Sequence, residues 1–162
     1  MRVIDVYVDG SYSKSKPNEC TSALIILEDD KPVFAQRYII MKPEFVQQHN
    51  VGGELWAAMS AIQVVQGLYG NGCIEVNLYY DYKGIRHFVT GPEFWSKPKT
   101  IPTQAYASIM QTYIKQNPLV KLNFWKVKSH SGKKWNEIVD QLTRGDICSE
   151  IKDVCKETMC FG

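Results

Sequence analysis

A change of hydrophobic period within the first 81 residues does most to limit how this chain can fold. Residues 2–8 are rich in Val, Ile and Tyr and run into Asp9-Gly10-Ser11, and Cys20–Leu27 and Pro32–Met41 are two further apolar, β-branched runs. The polar turn Glu28-Asp29-Asp30-Lys31 separates the last two, so the three read as an antiparallel meander. From Gly52-Gly53 the period becomes helical: Leu55, Ala58, Met59, Ile62, Val65 and Tyr69 recur at helical spacing until Gly70-Asn71-Gly72. Ile74, Val76, Leu78 and Tyr80 then alternate with Glu75, Asn77, Tyr79 and Asp81. A strand reached through a helix is predicted to lie parallel to its partner.

The second half continues the alternation of elements. A short helix is predicted from Lys83 to about Val89, a Pro-containing loop over Gly91–Pro102, and a helix over Gln104–Gln116. Val120–Val127 reads as a fifth strand, Ser129–Lys134 as a basic Gly-containing loop, and Trp135 to about Ile151 as the last long helix. The order βββαβααβα predicts an α/β fold: a five-stranded mixed sheet, three strands antiparallel and two parallel, with flanking helices. The expected division is one domain over 1–150, with 151–162 as a tail or the end of the last helix.

Composition removes several classes. With 44% hydrophobic and 22% charged residues in 162, the chain is no disordered polymer. The longest obvious apolar run, Ala23–Leu27, falls far short of the ~18 residues of a membrane span. The start, Met1-Arg2-Val3-Ile4-Asp5, lacks a signal-peptide pattern, so a cytoplasmic protein without a membrane partner is expected. Five cysteines (Cys20, Cys73, Cys148, Cys155, Cys160) with no C-x-x-C pair argue against a disulfide framework or a zinc ribbon. Charge is unevenly spread. From Lys83 to Lys134 there are ten basic side chains and one acid, Glu93, with Trp95 and Trp125 interleaved, a pattern that suits a polyanionic partner as well as it does a solvated face.

Four carboxylates stand at telling places. Asp9 closes strand one, Glu54 lies at the start of the first long helix, Asp81 closes strand four, and Asp140 follows Asn136 by four residues on one helix face. Each alone has an ordinary explanation: a turn aspartate, a helix-dipole glutamate, an N-cap, an exposed helix position. If strands one and four are neighbours, the set converges. Carboxylates so gathered repel one another unless cations neutralise them, and oxygen donors suit Mg²⁺ or Mn²⁺, two of which suit phosphodiester chemistry. His130, in the loop Lys128-Ser129-His130-Ser131-Gly132-Lys133-Lys134, has the ordinary reading of a solvated loop histidine and, just before Asn136 and Asp140, the alternative one of a proton shuttle.

YVDGS at 7–11, NVGGE at 50–54, LYYD at 78–81 and SHSGKKWNEIVDQL at 129–142 together resemble type 1 ribonuclease H, from about Val3 to Leu142. The resemblance implies the ribonuclease H-like fold and a catalytic domain over 1–150. It also implies an endonuclease that cuts the RNA strand of RNA–DNA hybrids, giving 5′-phosphate and 3′-hydroxyl ends. Two Mg²⁺ ions would be held by Asp9, Glu54, Asp81 and Asp140, with Mn²⁺ as a substitute and His130 as the loop histidine. Asn50 is the candidate minor-groove reader; Gly10 and Ser11 with Glu54 are placed to sense the 2′-hydroxyl. Lys83, Trp95, Lys97, Lys99 and Asn136 are further candidates for substrate binding, as are Lys128, Lys133 and Lys134 for phosphates. A monomer is expected.

The sequence departs from the family pattern at several points. Val139 stands where alanine is usual, which predicts slightly looser packing of the last helix; Lys83 replaces a common glutamine, and His49 a common threonine that helps hold a DNA phosphate. Two other readings stay in view: a metal-dependent DNA nuclease of resolvase or integrase type, and a noncatalytic hybrid-binding module. The presence of all four carboxylates weighs against the second.

Overall fold

The computed structural model describes residues 1–90, 98–128 and 133–162. β1 (Arg2–Ser11), β2 (Cys20–Glu28) and β3 (Lys31–Ile40) form the predicted meander, with Ile4 opposite Glu28 and Cys20 opposite Ile40. α1 (Pro43–Val46) and α2 (Asn50–Tyr69) lead to β4 (Ile74–Tyr80), which pairs parallel to β1 from Arg2↔Ile74 to Tyr7↔Tyr79. α3 (Gly84–His87) and α4 (Ile101–Gln116) follow, then β5 (Lys121–Lys126), parallel to β4, and α5 (Lys134–Thr143). A last strand, β6 (Met159–Phe161), completes the order β5-β4-β1-β2-β3-β6.

The two faces of the sheet carry different cores because strand residues alternate. Ile4, Val6 and Val8 of β1 and Leu24 and Ile26 of β2 face α2 and α4 in the larger core, with Leu55, Ile62, Tyr106 and Met110. Ala23, Ile25 and Leu27 face the other way, onto Ile138, Val139 and Leu142 of α5. α2 is apolar nearly all round because it is sandwiched between β1, β2 and α4. α4 starts at a Thr100–Thr103 capping box, the two hydroxyls 2.8 Å apart, which satisfies the first free N–H groups of the helix.

Several expectations shift. The sheet has six strands, not five: β6 pairs parallel with the edge of β3, placing Cys160 opposite Ile39. Three residues between Lys156 and Gly162 carry no lasting alternation, so this strand exists through its pairing with β3 and the packing of Phe161 on Tyr38 and Trp56. α5 stops at Thr143 rather than near Ile151, because Gly145 takes a left-handed turn (φ 89°). The cysteines at 148, 155 and 160 therefore lie outside a helix, and all five cysteines are free. α2 begins at Asn50, before the glycine pair, which makes Glu54 an interior helix residue. Val139 is fully buried, in a cluster with the small sheet residues Ala23 and Ala35.

Candidate active site

Parallel pairing decides where the chemistry gathers. Tyr7 and Tyr79 are opposite one another in β1 and β4, with rings stacked at 4.4 Å. Asp9 and Asp81 each lie two residues further on, on the same face and at the same edge of the sheet. Asp9, Asp81 and Asp140 line one cavity of about 330 Å³, with Gly10, Ser11, Asn50 and Asn136 on its walls. A second of about 360 Å³ adjoins it, lined by Asp9, Glu54, Asp81, Asn50, Lys83 and Lys126. The four predicted carboxylates thus border one continuous hollow, together with Gly10, Ser11, Asn50, Lys83 and Asn136.

Glu54 reaches this hollow from α2 because two glycines let the helix come close. A Cβ at Gly10 would overlap the backbone of Asn50 and Glu54, and one at Gly53 would overlap the carbonyl of Thr21. The Glu54 carboxylate, itself buried, accepts hydrogen bonds from the backbone N–H groups of Asp81 (3.2 Å) and Tyr82 (2.6 Å), which ties α2 to the end of β4.

The electrostatics are those of carboxylates taken out of water beside one another. Burial raises the Asp9 carboxyl from its usual range to about 7; the Gly10 N–H at 2.8 Å opposes the shift, and Asp140 and Asp81 add to it. Burial likewise lifts Glu54 to about 8, against the Tyr82 and Asp81 N–H groups and helped by the charges of Asp9 and Asp81. The outer two carboxylates have cations beside them. Arg144 donates to both oxygens of Asp140 (3.2 and 3.0 Å), and Lys126 Nζ stands 3.6 Å from Asp81 Oδ1. Sequence reading missed both cations, although the i, i+4 spacing of Asp140 and Arg144 was a legible signal.

The donor chemistry fits a hard divalent cation: four carboxylates around one hollow, two of them shifted toward protonation by burial and by the charges of their neighbours. Their side chains are not closed around a common point; among the described residues no three acidic, His or Cys side chains form a ready cation cage.

His49 occupies a left-handed conformation (φ 56°) just before α2, and its ring stacks on Tyr12 at 4.1 Å and 19°. Both line the Asp140 end of the hollow beside Asn50, and Tyr12 carried no sequence signal. Lys99 is exposed and borders neither carboxylate cavity. Lys128 and Lys133 are exposed, and Lys134 pairs with Glu150 at 3.6 Å and lies over the Trp135 ring. His130, Trp95 and Lys97 lie outside the described residues.

The six-stranded mixed sheet with its flanking helices matches the fold of solved RNase H structures. The chain belongs to the RNase H family, whose model matches residues 1–147. Among solved structures it is similar to RNase H1 from the halophilic archaeon Halobacterium salinarum, at 15% identity and TM-score 0.65, covering 88% of this chain and 95% of that one. It is similar at 14% identity and TM-score 0.65 to the N-terminal RNase H domain of a Mycobacterium tuberculosis protein, covering 90% and 99%. It also matches a foamy viral protease-reverse transcriptase in complex with RNA/DNA hybrid, at 11% identity and TM-score 0.53, over 89% of this chain and 19% of that. No curated protein sequence matches the chain significantly. Among the described residues, no helix is long and apolar enough to cross a membrane.

Proposed function

We propose that this protein hydrolyses the RNA strand of RNA–DNA hybrids, leaving 5′-phosphate and 3′-hydroxyl ends. The observation that carries this reading is the meeting of Asp9, Glu54, Asp81 and Asp140 around one hollow at the edge of the sheet. Those four residues would hold two Mg²⁺ ions, or Mn²⁺ in their place. Such ions supply charge stabilisation at the attacking and leaving oxygens of a phosphodiester.

The chain's own residues account for substrate choice. Asn50, at the first turn of α2, borders both halves of the hollow, as does Gly10; with Ser11 they stand where a 2′-hydroxyl is recognised as donor and acceptor. Lys83 lines the wall on the Glu54 side and Asn136 the wall on the α5 side, where phosphate and sugar contacts hold a duplex in register. Asn136 Nδ2 donates to the Lys128 carbonyl at 3.3 Å, which links α5 to the chain entering the His130 loop. From that loop His130 accepts and returns a proton, its ordinary pKa being near neutrality. Trp95, Lys97 and Lys99 extend the contact to the DNA strand.

We place the protein in the cytoplasm as a monomer. Its five free cysteines accord with a reducing compartment. A gel assay on RNA–DNA hybrid, duplex RNA and duplex DNA, with Mg²⁺, Mn²⁺ or chelator, tests the reading. Metal-dependent loss of the RNA strand of the hybrid alone is expected. Cleavage of duplex DNA instead would establish the DNA-nuclease reading, and tight hybrid binding without cleavage the noncatalytic one.

A further inference from the structure

A further hollow of about 220 Å³ adjoins the carboxylates, and the function above uses none of the cations that line it. Its walls carry three cations, Lys16, Arg37 and Arg144, against one acid, Glu19, with the Ser13 and Ser15 hydroxyls between them. They come from the turn after β1, from β3 and from the end of α5, so the charge is assembled by the fold and not by one run of sequence.

Arg37 is the fixed member. It is half-buried, and its Nε donates to the Thr143 carbonyl at 3.0 Å. Gly145, in its left-handed turn, lies beside the guanidinium, where a Cβ would stand at ordinary contact distance, 3.7 Å from Cζ and 3.9 Å from Nη1. Among the described residues no carboxylate pairs with Arg37 and its terminal amines make no hydrogen bond. A guanidinium held at Nε with its two amines unused is preorganised for a bidentate oxyanion.

Register relates this arginine to the site. Asp9 is opposite Ala23, and Ala23 is opposite Arg37, so the three share one cross-strand row and one face of the sheet. Two strand spacings, about 10 Å, separate Asp9 from Arg37 at the backbone. Ser11, Tyr12 and Arg144 line both this hollow and the carboxylate cavity, so the two are continuous.

We propose that Arg37, with Lys16 and Arg144, binds a backbone phosphodiester of the strand being cut, close to the scissile phosphate. This rests on the nuclease reading of the adjoining carboxylates. The ligand is a phosphodiester rather than a base or a sugar because the donors are cationic and forked and the walls carry no aromatic ring besides Tyr12.

The test is a coupling measurement on the full chain in Mg²⁺, with Asp9→Asn present throughout to prevent cleavage. Hybrids carry a single neutral methylphosphonate linkage, stepped along the RNA strand and, in a second series, along the DNA strand. Arg37→Gln is expected to weaken binding of the all-phosphate hybrid about tenfold, as for a charged hydrogen bond. At one RNA linkage near the cut, neutralisation should weaken the Arg37 protein by a similar factor and the Gln variant hardly at all. A merely structural loss would lower affinity equally at every linkage, and that result overturns the proposal, as does coupling confined to the DNA strand. If the unsubstituted protein cuts no hybrid, the nuclease reading itself has failed; cleavage with no coupling overturns the subsite alone.

Discussion

Gly10 and Gly53 pack backbone to backbone: a Cβ on Gly53 would stand 3.0 Å from the Cα of Gly10. This contact joins the end of β1 to the first turns of α2 and sets Glu54 beside Asp9. Gly53→Ala should therefore destabilise the protein by about 1–3 kcal/mol through overpacking, and lower cleavage more than the fall in melting temperature explains. Thermal melts and steady-state rates on the same preparation check both. Full activity at unchanged stability would mean that the backbones can separate freely.

Asp9→Asn should abolish cleavage, by more than about 100-fold, with the fold intact. Asp9 borders both halves of the hollow and is pressed by Asp140 and Asp81. Removing its charge relieves that repulsion, so the melting temperature without metal should stay equal or rise. Activity within tenfold of the unsubstituted protein contradicts the assignment.

The raised carboxyls also give a signed pH dependence. In chelator, folded Asp9 and Glu54 keep their protons up to about 7 and 8, whereas the unfolded chain has released them above the ordinary carboxylate range. Unfolding therefore releases protons in this window, and stability that is fully present at low pH is lost as pH rises through about 7 to 8. Melts at stepped pH should fall accordingly, and millimolar Mg²⁺ should flatten the decline because it binds the ionised carboxylates. A melting temperature that climbs across this window in chelator would refute the buried-carboxyl account.

His130→Ala should slow turnover by ~10²–10⁴-fold at neutral pH while leaving hybrid affinity close to its starting value. Single-turnover rates and equilibrium binding separate the two effects. Added imidazole should restore part of the rate if the side chain moves a proton. Affinity lost in parallel with rate would assign His130 to binding instead.

Most of the scaffold was legible in the residues themselves. Alternation in 74–81, helical spacing in 55–69 and the polar turn at 28–31 depend on local periods, and the strands and helices follow them closely. The carboxylates could be picked out because strand ends and helix starts were readable and because the strand–helix–strand order called for parallel β1 and β4. Local period and element order thus marked the four carboxylates as a candidate set. Their electrostatic state belongs to tertiary structure. Lys126 finds Asp81 through the β4–β5 pairing, and Glu54 becomes a buried acceptor only once β4 ends against α2. β6 was hidden for a related reason: a three-residue edge strand owes its form to β3, far along the chain, whereas the early stop of α5 is local, the N–H groups of Gly145 and Asp146 donating to the carbonyls of Leu142 and Gln141. Arg37 shows the same division. Nothing in KPVFAQRYII distinguishes it, and its relation to Asp9 arises from the register of three paired strands, a long-range property that no local period encodes.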